Sequence, residues 1–204
     1  HTEIFAELTG TKSYAMMLAE EHLRIIHVST HVSLLEACAR CKKQRILEVI
    51  RLAHAACVSM GISAPRVAVA GLNPHAGENG LFGREEIEEI APAVAFARLE
   101  GIDARGPLPP DTVFSKAVGG MYDVVVAQYH DQGHIPMKVL GFRLDRVSGK
   151  WQSVSGVNIT LGLPIIRVSV DHGTAFDQAW KGTASSGSLI NAIEYGVRLA
   201  AGRG

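Results

Sequence analysis

Residues 122–133 read YDVVVAQYHDQG and combine an apolar run with a polar, histidine-bearing loop. The first half of this stretch is a run of valines, typical of a β-strand, and its second half is a polar loop that carries His130. Two other segments, Leu23–His31 and Val67–His75, repeat this arrangement of an apolar run with a histidine at its end. The sequence therefore predicts three strands of one sheet, each followed closely by a histidine.

Helical patterns alternate with these apolar runs. The longest covers Leu34–Met60, where Gly61 is placed to end the helix as a left-handed cap. Acidic residues at 85–89 open another helix, because the helix dipole favours negative charge there, and a closing helix spans Ser188–Ala200. Between them, the prolines of Gly106–Thr112 predict a loop. This alternation predicts an α/β protein with a mostly parallel sheet and helices on its faces.

The pattern changes after residue 142. A polar stretch, Arg143–Ser155, interrupts the alternation and predicts a segment that crosses between domains. Two short strands follow it, at Val157–Thr160 and Pro164–Val170. We therefore divide the chain into residues 1–142 and 143–204.

The composition excludes several classes of protein. Twenty basic and twenty acidic residues give a formal net charge of zero, and there is no long basic run of the kind that binds nucleic acid. The apolar runs are too short to cross a membrane. The cysteines, Cys38, Cys41 and Cys57, are odd in number, which favours a reducing, cytoplasmic compartment over a disulfide framework. Cys38 and Cys41 form a CxxC without a second such pair, and we interpret them as ordinary helix residues.

The three strand-end histidines are the candidate metal ligands. In a parallel α/β sheet the carboxyl ends of the strands share one edge, where ligands bind. His31, His75 and His130 could meet there, and imidazole is a good ligand for zinc and related divalent ions. Each histidine alone could equally be a hydrogen-bonded loop residue. The shared placement is what favours a metal site.

Two loops and two cations accompany these histidines. Asn73–Gly80 and Asp171–Ala175 are rich in turn formers, and glycines such as Gly77 let the backbone approach a ligand closely. Neither loop is a GxGxxG or P-loop motif. Lys138 could be an ordinary surface charge. Arg167 lies inside an apolar strand, where a charge is usually paired or functional.

Several motifs, in order along the chain, resemble the 4-hydroxythreonine-4-phosphate dehydrogenase family. They are His1–Glu3, Ser29–His31, Gly71–Glu78, Tyr129–Gly133, Gly156–Pro164 and Ser169–Ala175. Two segments, Ser29–Ser33 and the extra stretch Trp151–Ser155, resemble the sequences of the subgroup that acts on D-threonate or D-erythronate 4-phosphate.

The resemblance implies a three-layer α/β/α fold like that of isocitrate and isopropylmalate dehydrogenases, and a homodimer with its active site at the interface. Residues 1–142 would form the metal, substrate and dimerisation domain, and residues 143–204 would return to the cofactor domain. The chain begins at the histidine of a motif that has the sequence Gly-His-Thr-Glu in the family. We therefore expect the N-terminal part of the cofactor domain to be absent.

The resemblance also assigns residue roles. It implies that His31 and His75 bind the metal from one subunit and His130 from the partner, with Zn²⁺ favoured and Mg²⁺, Co²⁺ or Mn²⁺ as alternatives. The substrate contacts it implies are His1, Thr2, Lys138, Asn158 and Arg167. The NAD contacts are Asp171, His172, Gly173, Thr174 and Ala175. The family usually has glycine where this chain has Trp180, a change that we expect to affect NAD binding.

The expected reaction is an NAD-dependent, metal-assisted oxidation followed by decarboxylation. The metal lowers the pKa of the substrate hydroxyl, and Lys138 is the candidate general base or alkoxide-stabilising residue. The substrate is 4-hydroxythreonine 4-phosphate or D-threonate or D-erythronate 4-phosphate. Two alternatives remain: a metal-dependent hydrolase that uses the same histidines, and an inactive metal-binding dimerisation fragment.

Overall fold

The computed structural model describes residues 1–144, 146–147, 151–171, 173–174 and 176–202. Its strands are β1 Ala15–Glu20, β2 Leu23–His27, β3 Arg66–Ala70, β4 Asp103–Leu108, β5 Val124–Ala127, β6 Phe142–Leu144, β7 Trp151–Val154, β8 Val157–Leu161 and β9 Arg167–Val170. Its α-helices are α1 Thr2–Leu8, α2 Leu34–Arg40, α3 Lys43–Ser59, α4 Ala91–Leu99, α5 Pro110–Val118, α6 His130–Gly141 and α7 Gly187–Ala201.

The central sheet has seven strands in the order β4-β3-β5-β2-β1-β8-β9. The half that holds the three histidine-bearing strands is parallel: β2 pairs with β5, β5 with β3, and β3 with β4. The other half is antiparallel, because β1 runs against both β2 and β8, and β8 runs against β9. The prediction of a mostly parallel sheet is therefore right for the candidate-site half and wrong for the other.

The side chains of β5 enter the core on both faces of the sheet. Val124 and Val126 belong to the core cluster that α3, α4 and α7 cover on one face of the sheet, while Val125 and Ala127 belong to the cluster that α5 and α6 cover on the other. Successive side chains of a strand point to opposite faces, so a fully apolar strand requires a helical layer on each side. The predicted three-layer α/β/α fold is confirmed.

The long helix predicted over residues 34–60 is two helices, α2 and α3. Ser33 caps the first, because its Oγ accepts a hydrogen bond from the Glu36 amide at 3.2 Å. The second begins after Lys42, whose backbone is extended, and a carboxylate from another part of the chain caps it. Glu89 accepts hydrogen bonds from the Lys43 amide at 2.7 Å and from Lys42 Nζ at 3.0 Å. A cap supplied from so far along the chain is not visible in local periodicity.

The loop predicted over Gly106–Thr112 is also wrong. β4 continues to Leu108, and α5 begins at Pro110. β4 is an edge strand of the sheet, where the missing N–H of Pro107 need not cost a ladder hydrogen bond. Proline is likewise favoured in the first turn of a helix, where the amide would lack a partner anyway.

The segment expected to cross between domains contains the antiparallel pair β6 and β7, which form a separate two-stranded sheet. The chain then returns to the main sheet as β8, which pairs with β1 in the register Met17↔Ile159. The division at residue 142 stays a prediction. Among the described helices, none is both long and apolar enough to span a bilayer.

Candidate functional site

Two of the predicted metal ligands meet at the end of the parallel strands. His31 lies in the loop after β2, and His130 is the first residue of α6, immediately after β5. Their ring centroids are 5.8 Å apart. Both line an open cleft of about 520 Å³ together with residues 30, 32–34, 37, 129 and 131. Both imidazoles therefore lie at one edge of the sheet, as their strand-end positions predicted.

Each of these imidazoles has a carboxylate on its Nδ1 atom. Nδ1 of His31 lies 3.1 Å from Glu3 Oε1, and Nδ1 of His130 lies 2.6 Å from Asp131 Oδ1. A carboxylate accepts the Nδ1 proton and so leaves the lone pair on Nε2, as in many histidine ligands of metals. This arrangement suits each of the two imidazoles to bind a divalent ion through Nε2.

His75 occupies a different setting, on an exposed turn after β3. Its nearest described ring neighbour is Phe82, at 6.4 Å between centroids. Within the described ranges of a single chain, no three His, Cys, Asp or Glu side chains are grouped to hold a metal. The predicted trio is thus not assembled in one chain, and its completion across two subunits stays a prediction.

The turn that carries His75 is left-handed. Five consecutive residues, 75–79, have φ between 43° and 80°, and only one of them, Gly77, is a glycine. A left-handed conformation costs a residue with a Cβ roughly 1–2 kcal/mol. Such strain persists only where surrounding contacts determine it, and it is common at functional sites. The sequence predicted a close backbone approach here but not this handedness.

A second cluster lies at the amino-terminal end of the chain and on β8 and β9. Arg167 Nη1 donates to Asn158 Oδ1 at 2.9 Å and to Thr160 Oγ1 at 3.4 Å. Thr160 Oγ1 also lies 3.1 Å from Thr2 Oγ1. Three predicted substrate residues, Thr2, Asn158 and Arg167, are therefore connected. His1, the fourth, is largely exposed at the start of α1.

Arg167 combines partial burial with neutral hydrogen-bond acceptors. Both of its recorded acceptors are neutral oxygens, and partial burial lowers the pKa of its guanidinium, although an arginine remains charged. A planar guanidinium binds carboxylate or phosphate oxygens in a bidentate fashion. Thr160 is the residue of this cluster that our sequence reasoning missed. Its signal was the two-residue spacing from Asn158, which places both on the same face of β8.

Lys138, the fifth predicted substrate residue, is joined to the predicted cofactor loop. Its Nζ donates to the carbonyl oxygen and to Oδ2 of Asp171, both at 2.7 Å, and Asp171 is buried. Gly173 and Thr174 are exposed beyond it. His172 and Ala175, also predicted to contact NAD, lie outside the described residues.

Trp180 stands at a left-handed backbone position, with φ of 63°, and its side chain is fully exposed. Glycine adopts that conformation without strain, which explains why glycine suits this position. The indole ring does not pack into the core. A tryptophan in place of glycine therefore changes only the protein surface that follows the candidate cofactor loop.

A buried imidazole lies beneath the site. The ring of His27 is 4.8 Å from that of His134, which in turn stacks on His130 at 3.5 Å. Burial, and then the neighbouring His134, lowers the pKa of His27 to about 3. Nδ1 of His27 lies 3.3 Å from the Met16 carbonyl oxygen. His27 is therefore a neutral, buried residue whose ring packs against α6.

The fold defines an α/β protein of the isocitrate-dehydrogenase-like type, with an open cleft at the ends of its parallel strands. The family described as pyridoxal phosphate biosynthetic protein PdxA matches residues 1–196, and the chain belongs to this family. The resemblance drawn from the sequence motifs is confirmed.

Named relatives agree with this assignment. The D-threonate 4-phosphate dehydrogenase of Pectobacterium atrosepticum is 50% identical over 200 residues, covering 98% of this chain and 58% of that protein. The 4-hydroxythreonine-4-phosphate dehydrogenase of Beijerinckia indica is 54% identical, covering 98% and 56%. The crystal structure of 4-hydroxythreonine-4-phosphate dehydrogenase from Klebsiella pneumoniae has a TM-score of 0.83 at 52% identity, covering 98% and 57%. The chain therefore spans between half and two thirds of the length of these relatives.

Proposed function

We propose that the protein containing this chain is a dehydrogenase of a small 4-phosphorylated hydroxy acid. The observation that carries the proposal is the Arg167 guanidinium, which is half-buried and donates to the neutral oxygens of Asn158 and Thr160. A phosphate or carboxylate group would complete its hydrogen bonding. The names of the relatives supply the substrate class: D-threonate 4-phosphate or 4-hydroxythreonine 4-phosphate. D-erythronate 4-phosphate is a further candidate within that class.

The metal would be held by Nε2 of His31 and of His75 from one subunit and by Nε2 of His130 from the partner in a homodimer. The carboxylates of Glu3 and Asp131 would orient two of these rings. A divalent ion, Zn²⁺ or alternatively Mg²⁺, Co²⁺ or Mn²⁺, supplies Lewis acidity that lowers the pKa of a substrate hydroxyl.

Lys138 would act on the substrate hydroxyl through Nζ, either by taking its proton or by donating a hydrogen bond to the alkoxide oxygen. Asp171 fixes the position of Nζ through its carboxylate and its carbonyl oxygen. NAD, when bound, would supply the hydride acceptor for oxidation of the hydroxyl-bearing carbon to a carbonyl, and Lys138 would hold the proton that the hydroxyl releases. A β-keto acid formed in this way would then lose its carboxylate as carbon dioxide.

NAD would lie against the loop after β9, where Asp171, Gly173 and Thr174 are described. Asp171 is buried and bonded to Lys138. We therefore assign it to positioning Lys138, and assign the cofactor contact to the exposed backbone of Gly173 and Thr174.

The proposal is tested by adding each 4-phosphorylated acid to the intact protein with Zn²⁺ and NAD and following NADH absorbance. Arg167→Lys keeps the charge but loses the planar fork, and should raise KM more than it lowers kcat. Lys12→Arg, which changes a cation that we assign no role, is the control. Release of inorganic phosphate without NADH would instead favour the hydrolase.

A chain that dimerises and binds metal without turnover would favour the dimerisation fragment. Sedimentation together with NAD titration separates that outcome from the dehydrogenase. The ratio of kcat/KM between the threonate and the hydroxythreonine substrates then decides the particular activity.

A further inference from the structure

A carboxylate is buried beneath the turn that carries His75. It belongs to Glu86, which is 2% exposed and opens the π-helical turn Glu86–Ile90 before α4. Its Oε1 accepts hydrogen bonds from the backbone amides of Leu72 and Asn73, both at 2.7 Å. These amides belong to the residues that connect β3 to the left-handed turn.

The second oxygen of Glu86 faces the same segment. Oε2 accepts a hydrogen bond from Asn73 Nδ2 at 2.9 Å. A Cβ at Gly77 would lie 2.6 Å from Oε2, and a Cβ at Gly71 would lie 3.1 Å from Oε1. Both glycines are therefore needed for the backbone to close around the carboxylate. The chain from residue 71 to residue 77 wraps a single acidic side chain.

This arrangement accounts for the left-handed turn. Four non-glycine residues between positions 75 and 79 are held at positive φ, so the turn needs contacts that favour it over an ordinary loop. Hydrogen bonds to a carboxylate are roughly twice as strong as neutral ones, and Glu86 accepts three of them at the root of the turn. Glu86 itself is too enclosed to reach a ligand.

We propose that Glu86 is the positioning residue of His75: its buried carboxylate holds the left-handed turn and thereby sets where the imidazole points. The inference rests on the proposed function, in which His75 binds the metal. Glu86 acts through the backbone of residues 72–77 and contacts no metal or substrate.

The test compares Glu86→Gln with the control Glu88→Gln in the intact protein. Glutamine keeps an acceptor for the two amides, but its NH₂ group opposes Asn73 Nδ2, so the turn loses one hydrogen bond and the negative charge. Glu88 lies in the same acidic run but is exposed and paired with Arg84. The readouts are Zn²⁺ affinity by competition with a chelator, and hydrogen exchange of the Leu72 and Asn73 amides.

We expect Glu86→Gln to weaken Zn²⁺ binding roughly 10- to 100-fold, the range typical of residues that orient metal ligands, and to speed exchange at both amides. Glu88→Gln should change neither. Faster exchange with unchanged Zn²⁺ affinity would overturn the positioning role and leave Glu86 a purely structural residue. Unchanged exchange would overturn the inference altogether.

His75→Ala separates failure of this inference from failure of the proposed function. If His75→Ala binds Zn²⁺ like the wild type, the metal role of His75 is wrong, and the positioning inference falls with it. If His75→Ala loses Zn²⁺ while Glu86→Gln retains it, only the positioning inference is overturned.

Discussion

Replacing His27 by asparagine should reduce the free energy of unfolding that the metal-free protein loses as the pH falls. The imidazole is fully buried between β1 and α6, with the rings of His130 and His134 facing it. Its Nδ1 lies 3.3 Å from the Met16 carbonyl oxygen, a contact that an asparagine Nδ2 can replace. Its Nε2 is buried without a partner among the described residues. Protonation would therefore place an unsolvated charge beneath the candidate site.

The size of the effect follows from the two pKa values of the imidazole. The ordinary value of 6.5 applies to the unfolded chain, and burial lowers the folded value to about 3. Between these values only the unfolded chain takes up the proton, so stability falls as the pH falls, by about 1.4 kcal/mol per pH unit. His27 alone should thus cost the wild type about 2 kcal/mol between pH 7 and pH 5. The stability that the neutral His27 imidazole contributes is therefore fully present only above pH 6.5, the pKa of the unfolded chain.

The assay is urea unfolding at pH 7 and at pH 5, with chelator present. His27→Asn should be less stable than the wild type at pH 7, because the smaller side chain leaves a cavity. Its further loss at pH 5 should be about 2 kcal/mol smaller than that of the wild type. His22→Asn, at an exposed position, is the control. Equal losses in His27→Asn and the wild type would show that protonation of His27 does not destabilise the folded protein.

Two further predictions concern packing and thiol access. Gly133→Ala would press a Cβ against His27 Nε2 and place it 2.7 Å from Ile25 Cγ2, and should cost about 1–3 kcal/mol in urea unfolding. Gly141→Ala, whose Cβ would lie 3.5 Å from its nearest neighbour, Ser155 Oγ, should cost much less, and similar losses would contradict the tight contact at Gly133. Iodoacetamide should label the partly exposed Cys38 well before Cys41, because burial, and then nearby glutamates, raises the pKa of the Cys41 thiol to about 12. Peptide mass mapping checks the order, and equal rates would contradict it.

The sequence predicted the structure correctly where a pattern is local. In an α/β protein the valines of β5 predict a buried central strand. A strand that is apolar on both faces needs helices packed on both sides of the sheet. The sequence prediction missed β1 and β4. β1 is built from alanine and methionine rather than β-branched residues, and β4 contains glycine and proline. Those segments form strands because neighbouring strands offer a hydrogen-bonding partner, which composition does not reveal.

The candidate site shows the same limit. Shared strand-end placement predicted that His31 and His130 would lie close together, and the motifs predicted the cluster around Arg167. The left-handed turn was not predictable from residues that rarely adopt positive φ. Its anchor, Glu86, lies 14 positions from Leu72 along the chain. In the sequence it is one of the acidic residues at 85–89, which we placed at a helix N-terminus.

The most direct test of the account is subunit complementation between His31→Ala and His130→Ala of the intact protein. Each variant alone should lose Zn²⁺ and NADH formation. If the site is shared across a two-fold homodimer, an equimolar mixture should regain about a quarter of the wild-type activity, because each mixed dimer rebuilds one complete site. Recovery of that fraction, together with Zn²⁺, is the predicted result. No recovery on mixing, or full metal and turnover in either variant alone, would contradict the shared metal site.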